Sequence, residues 1–370
     1  MTNKNQYDWL ATLYLSTACQ GKIVRCLDRL GSMDAIFQAK QNELASLGFS
    51  ENEIKTIKHP NHAAIEKDLL WARESHHHFL FYDDHAYPAI LREITDPPLV
   101  LYIKGDKHLL SQVQIAIVGA RHATSYGLNI AEQFAHDLAK QGLVITSGFA
   151  LGIDGAAHRG ALKAKGRTIG VSGTGFNYTY PTSHRCLIDD IISEGGAIIS
   201  EFHLATPGRA ANFPKRNRII SGLSLGVLIV EAALKSGSLI TARCAMEQGR
   251  DVFAVPGSIH QPLARGCHYL IQQGAKLVQS IEDILEEYPH QSNKKFESVT
   301  ALDVQVEDDM IAEHRQLFDQ ITHETTSIDM IILRTGLTMS EVSSILLTLE
   351  LRGYIQSVPG GYIRVTKLTG

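Results

Sequence analysis

Apolar residues in the first 75 positions recur at helical spacing: Trp9, Leu10, Leu13 and Tyr14 form one stripe, Ile23, Val24, Leu27 and Leu30 another. Gly31 ends the second helix, a short helix is predicted over Gln41–Leu47 with Gly48 as its stop, and another starts at about Glu51. The period then changes. From about Gln114 to Tyr288, seven short apolar runs (IAIV, LVIT, TIGVS, AIIS, VLIVE, VFAV and KLV) alternate with amphipathic stretches. Strands alternating with helices are joined by right-handed crossovers, which predicts an α/β fold: a doubly wound, mostly parallel, Rossmann-like sheet with helices on both faces. The pattern changes once more near the end, with helices near Glu313–Thr322, Ser327–Thr335 and, capped by Thr338, Ser340–Arg352. Two strand-like runs then flank Pro359, Gly360 and Gly361, giving a helix-turn-helix with a β wing. The predicted organisation is a small helical module of the SAM or helix-hairpin-helix kind over 1–75, a Rossmann-like domain over 76–288, a linker over 289–311 and a winged helix over 312–370.

The chain has 370 residues, more than the ~100–200 of one domain, and its 44% hydrophobic and 20% charged residues are those of a globular protein. No apolar run approaches the ~20 residues of a membrane helix, and Met1–Tyr7 is polar with no secretory signal pattern after it. A cytoplasmic protein without a membrane partner is expected. The net charge of −4 argues against an indiscriminate nucleic-acid coat. Its acid is concentrated, because Glu286–Ile311 carries 7 acidic against 2 basic residues and lacks periodicity, as a solvated linker does. Cys19, Cys26, Cys186, Cys244 and Cys267 are scattered without a two-residue spacing and read as reduced thiols. His76, His77 and His78 have no acidic or Cys ligand at a matching spacing, so a solvated linker is expected there, with neither metal nor cofactor.

In an open parallel sheet ligands bind beyond the carboxyl ends of the strands. Glycines cluster on that edge: Gly119 after the first strand, Ser147 and Gly148 after the second, Gly173 and Gly175 after the third. Backbone N–H groups there can approach an anion closely, which points to a ligand carrying phosphate. The segment GRAANFPKRNR adds Arg209, Lys215, Arg216 and Arg218 with no acid, interleaved with Asn212, Phe213 and Asn217. Cations for phosphates, a ring for stacking and amides for base edges are the parts of a single-strand nucleic-acid site. A dinucleotide is disfavoured, because GARHATSYG lacks G-x-G-x-x-G and the second strand ends without an acid. Asp154, Glu201 and Glu231 could act as paired acids on a nucleotide's glycosidic bond. The favoured reading is that they cap helices or hold the arginines, and that His158 is a packed histidine.

SGFALGIDGAAHRGAL, GTGFNYTYP, NFPKRNRIISGLSLGVLIVEAALKSGSLITA and EQGRDVFAVPGS, in that order, resemble the signature blocks of the DNA-processing protein A family, also called Smf or DprA. The resemblance implies a single-stranded DNA-binding protein of natural transformation that protects incoming strands and loads the RecA recombinase on them, with no catalysis. It also supplies most of the expectation of a homodimer, with the edge made by VFAV and KLV as the candidate surface. By motif, Arg121 stands where the family's G-S-R loop has its arginine, and Lys215 opens the K/R-R-N-R run that Asn217 and Arg218 complete. Three departures stand out: Ala120 replaces the usual serine, and Cys267 and His268 replace Thr and Asn after Gly266. TACQGK lacks the G-x-G hairpin of a phosphate-gripping helix-hairpin-helix element. Two alternatives remain. One is a nucleotide N-glycosidase or phosphoribohydrolase of the lysine-decarboxylase-like Rossmann group, whose P-G-G-x-G-T-x-x-E motif is absent. The other is a winged-helix regulator sensing a nucleotide, against which the net charge of residues 312–370, 5 basic and 6 acidic, counts.

Overall fold

The computed structural model describes residues 3–15, 17–289, 312–322 and 325–364. Six helices open the chain: α1 (Asn3–Thr12), α2 (Thr17–Leu30), α3 (Met33–Gln38), α4 (Gln41–Ser46), α5 (Glu51–Lys58) and α6 (His62–Trp71). Gly31 and Gly48 end α2 and α4 at φ +80° and +90°, backbone angles that strain a residue with a side chain. Ser50 and Glu53 start α5 with a reciprocal capping box. Trp9, Ile23, Ile36 and Leu44 bury the module's apolar stripes in a core that continues into Leu99 and, in the sheet, Phe81 and Val100.

The nine strands of the central sheet are β1 (His77–Phe81), β2 (Val100–Gly105), β3 (Gln114–Val118), β4 (Val144–Ser147), β5 (Thr168–Val171), β6 (Ala197–Ser200), β7 (Gly226–Ile229), β8 (Asp251–Ala254) and β9 (Lys276–Leu277). They lie in the order β1-β2-β6-β5-β4-β3-β7-β8-β9. The seven strands from β3 to β9 are mutually parallel and coincide with the seven apolar runs. β1 and β2 were not predicted. They pair antiparallel with each other, and β2 pairs antiparallel with β6, which extends one edge of the sheet. The histidine triplet is therefore not a solvated linker: His77 and His78 lie in β1, and His77 is buried with its ring 4.2 Å from that of Trp71.

The intervening helices are α7 (Ala89–Arg92), α8 (Ser125–Lys140), α9 (Ile153–Lys163), α10 (Arg185–Ser193), α11 (Asn212–Leu223), α12 (Ser238–Glu247), α13 (Arg265–Gln272) and α14 (Glu282–Leu285). Every residue of β3 is buried, because both faces of the sheet are covered. Ile115 and Ile117 enter one core and Ala116 and Val118 the other, as the two-residue strand period requires. β3 lies between β4 and β7, so the order of the sheet reverses there and a crevice opens beyond the strand ends.

The C-terminal unit consists of α15 (Ala312–Gln320), α16 (Ile328–Thr335), α17 (Met339–Leu351), β10 (Ile355–Val358) and β11 (Gly361–Arg364), with Thr326 bridged to Tyr362. Thr338 and Glu341 form a capping box at α17. Leu317, Ile331, Val342 and Leu349 give the winged helix its own core. From residue 290 to 311 the acidic linker lies outside the described residues. Among the described residues no single helix is long and apolar enough to cross a membrane.

Candidate nucleic-acid interface

Loops beyond β3, β4, β5 and β7 surround a cleft of about 610 Å3 at the point where the strand order reverses. Arg121 leaves β3 exposed, with its guanidinium 5.7 Å from the centre of the Phe213 ring. Tyr180 lies against the same ring at 5.2 Å, which makes a wall of two aromatic rings and a cation. Phe213, Arg216, Asn217 and Ile220 are spaced i, i+3, i+4 and i+7 along α11 and all line the cleft. Across from them, Lys235 precedes Ser236, Gly237 and Ser238 at the start of α12, where the ammonium and the positive end of the helix dipole favour an anion. Arg121, Arg216 and Lys235 face a single lining carboxylate, that of Asp154, so the cleft is positive.

Asp154 sits buried in the first turn of α9, where its carboxylate accepts from the Ala150 N–H at 3.1 Å. Burial pushes its carboxyl up to about 6, against the opposing pull of the Arg216 guanidinium. Arg216 is itself buried; burial brings it down to about 10, and it stays charged at neutral pH. It donates to the Val171 carbonyl and, at 3.2 Å, to Asn217 Oδ1. Gly148 is glycine for this pair: a Cβ there would lie 2.5 Å from Asp154 Oδ2 and 2.6 Å from the guanidinium nitrogens. Gly173 likewise makes room for Phe213, whose ring would lie 2.7 Å from an added Cβ.

Gly119, Arg121, Phe213 and Asn217 thus meet in the cleft, and Gly173 joins them in an adjoining hollow of about 210 Å3. Five expected residues do not line either space: Gly148, which lies behind Asp154 and Arg216, and four more. Lys215 Nζ is 3.3 Å from Glu201, and Arg218 pairs with the same carboxylate and with Asp96 at 3.3 Å. Ser147 is fully buried and donates to the Ile117 carbonyl at 2.6 Å, so its hydroxyl serves the sheet. The Gly175 N–H donates to the Thr206 carbonyl at 2.9 Å, joining two loops. Two cleft residues had not been singled out, Tyr180 and Lys235, and Arg216 had been named only as one charge of the basic run. The helical phase of α11 separates Arg216 from its neighbours, and the S-G-S start of α12 would have found Lys235.

Replacing Lys215 or Arg218 by alanine is expected to lower stability by about 1–3 kcal/mol, through a buried Glu201 left with one cation fewer. Oligonucleotide affinity should stay within a few-fold of wild type. Thermal unfolding with a parallel titration checks this; an unchanged melting temperature with a large loss of affinity would return Lys215 to the strand's path.

The remaining acids are also engaged. Glu231 accepts from the Thr124 N–H at 2.9 Å and from its hydroxyl at 2.6 Å, at the start of α8. His158 is fully buried between Thr168 Oγ1 at 2.7 Å and the Gly148 carbonyl at 2.8 Å, and burial holds it down at about 4, hence neutral. No carboxylate pair faces the cleft among the residues that line it.

Residues 78–289 match the family described as DNA recombination-mediator protein A, and residues 305–361 match the DprA winged helix domain. The chain belongs to the DNA recombination-mediator protein A family. Protein Smf of Escherichia coli (strain K12) is 44% identical over 311 residues, covering 82% of each chain. The X-ray structure of DNA processing protein A from Streptococcus pneumoniae superposes with a TM-score of 0.67 at 36% identity, covering 78% of this chain and 98% of that one. A structure of DNA processing protein A from Helicobacter pylori, described as giving insight into its unique single-stranded DNA binding mode, matches at a TM-score of 0.51 and 32% identity over 58% of this chain and 97% of that one.

The three departures from the DNA recombination-mediator protein A pattern now have places. Ala120 is buried, and its carbonyl accepts from the Ile153 N–H at 3.2 Å, so the backbone there fixes the start of α9. The Cys267 thiol is buried 3.5 Å from the Val230 carbonyl, and burial pushes it up to about 12. His268 Nε2 lies 3.0 Å from the Gly257 carbonyl and ties α13 to the loop after β8.

Proposed function

We propose that this chain binds single-stranded DNA in the cleft beyond β3 and β7 without acting on it chemically, and that it serves DNA processing in natural transformation by loading a RecA recombinase. The observation that carries this reading is the wall of Arg121, Phe213 and Tyr180 facing Lys235 and the α12 N-terminus. Cations can meet phosphates while the rings take unstacked bases, which duplex DNA cannot offer. The family relationship and the printed description of the Helicobacter pylori protein support the same ligand. Asp154 as the cleft's single lining carboxylate argues for binding without hydrolysis, since a glycosidase uses two acids. The winged helix offers phosphate little, as residues 312–370 hold 5 basic and 6 acidic side chains.

The test compares affinity for a single strand and for the matching duplex at two salt concentrations. Tighter single-strand binding that weakens with salt is expected; equal affinity, or none, would overturn the reading. Loading would appear as faster RecA filament growth on a strand coated by a competing single-strand binder, and no acceleration would remove it. A homodimer through the β9 edge belongs to the same reading, because Lys276–Leu277 leaves a sheet edge whose Leu277 is exposed. Sedimentation at micromolar concentration is expected to show a dimer, and a monomer both with and without a long oligonucleotide would exclude it.

A further inference from the structure

No described residue of the N-terminal module lines the cleft, yet two of the module's aromatic side chains, Trp71 in α6 and Tyr14 in the turn after α1, hold the two loops that shape its rim. The first loop runs from Ser172 to Pro181 after β5 and carries Gly173 and Tyr180. Its Phe176 stacks on Trp71, the last residue of α6, with ring centres 5.2 Å apart. Trp71 is fixed in turn by the His77 ring at 4.2 Å and the edge of Tyr102 at 5.4 Å. The second loop runs from Glu201 to Gly208 after β6, and its His203 stacks at 5.5 Å on Tyr14. Tyr14 is anchored by donating to the buried Asp68 of α6 at 2.7 Å.

The two loops are tied to each other. Gly175 donates to Thr206 at 2.9 Å and Asn177 to Leu204 at 3.1 Å. They also converge at the cleft: Asn212 Nδ2 donates to both Gly173 and Pro207, and an added Cβ on Gly208 would lie 3.6 Å from the Tyr180 ring. Trp71 and Tyr14 are thus connected through one hydrogen-bonded pair of loops to Tyr180, and so to Phe213, which Tyr180 contacts.

We propose that the N-terminal helical module positions the aromatic rim of the cleft through Trp71–Phe176 and Tyr14–His203, and so sets single-strand affinity without contacting the strand. This rests on the cleft being the single-strand site. Trp71 is a positioning residue in this view. Its loss should loosen the rings that take bases and leave the cations that take phosphates in place.

The test uses the full chain. Trp71→Ala is expected to weaken oligonucleotide binding roughly three- to tenfold, the order of one lost aromatic pair, with the salt dependence unchanged. Trp71→Phe should restore it, and Trp71→Ala combined with Phe176→Ala should cost no more than either alone, because both break one contact. Amide exchange at Gly175 and Asn177 should quicken in Trp71→Ala while exchange in β3 and β4 stays as in wild type, which a general loss of stability would not produce. If Trp71→Ala does not fold, Phe176→Ala carries the same three readouts from the loop side. Folded variants with wild-type affinity, or slow exchange retained at Gly175 and Asn177, would overturn the proposal. A wild type that binds no single strand would overturn the cleft assignment and this proposal with it; wild-type binding with unaffected variants would overturn this proposal alone.

Discussion

Arg121→Ala is expected to weaken single-strand binding by about 1.5–3 kcal/mol, roughly a ten- to hundredfold rise in Kd, as the loss of a charge-assisted contact to phosphate. The salt dependence should flatten with it, by roughly 0.7 units of slope for one single-strand phosphate contact. Arg121 is exposed and has no ion-pair partner among the described salt bridges, so its removal should leave the melting temperature nearly unchanged. Phe213→Ala forms the contrast. A lost stacking platform costs about 1–3 kcal/mol per base, but it releases no counterion, and the salt slope should hold. Titrating both variants with a labelled oligonucleotide at several salt concentrations separates the two; identical slopes in wild type and Arg121→Ala would remove Arg121 from the phosphates.

Arg216→Ala is expected to act chiefly on the fold. It removes the cation whose field opposes the rise of buried Asp154, together with the bonds to Val171 and Asn217, and leaving a buried charge uncompensated costs about 3–5 kcal/mol. The deficit should depend on pH. Asp154 already lies raised to about 6 from its ordinary 3.8, and without Arg216 it rises further. A carboxyl raised in the folded state binds its proton more tightly there than in the unfolded chain, so its contribution improves as pH falls through the folded value and levels off below about 4. The variant's deficit should therefore be largest above neutrality, shrink as pH falls toward the wild-type value of about 6, and stay level from there to pH 4, where the carboxyl is protonated in both folded forms. Thermal unfolding across that range checks the sign, and a deficit that grew on acidification would mean that Asp154 is not the group left uncompensated.

The fold was legible where the period was clear. The seven apolar runs became the seven parallel strands, the inner ones apolar because they are buried on both faces, and Gly31, Gly48 and the Thr338 cap ended or began helices through local backbone chemistry alone. β1 and β2 escaped because α7 between them is a single turn with no helical period to mark it, and the histidines of β1 read as polar until Trp71 is seen stacked on His77. Pro97 and Pro98 before VLYIKG were the available signal for β2.

For the candidate site, the loop after β3 was legible from the strand-end rule and Phe213 from the ring set among the cations of NFPKRNR. The split of the basic run was not. NFPKRNR was read as one patch, whereas a helix turns about 100° per residue and sends Lys215 and Arg218 toward Glu201 and Arg216 toward the cleft. The glycines after β4 and β5 serve packing as much as any ligand: Gly148 admits the Asp154 and Arg216 side chains, and Gly173 admits a ring.

The most direct measurement locates the strand on the protein. A single-stranded oligonucleotide containing iodouracil, bound to the full chain and irradiated, should crosslink to Tyr180 or Phe213 in the cleft, with the adduct found by peptide mapping and lost on adding excess unlabelled strand. Crosslinks confined to the winged helix or to the β9 edge, with none between Ser172 and Phe213, would contradict the assignment of the cleft as the single-strand site.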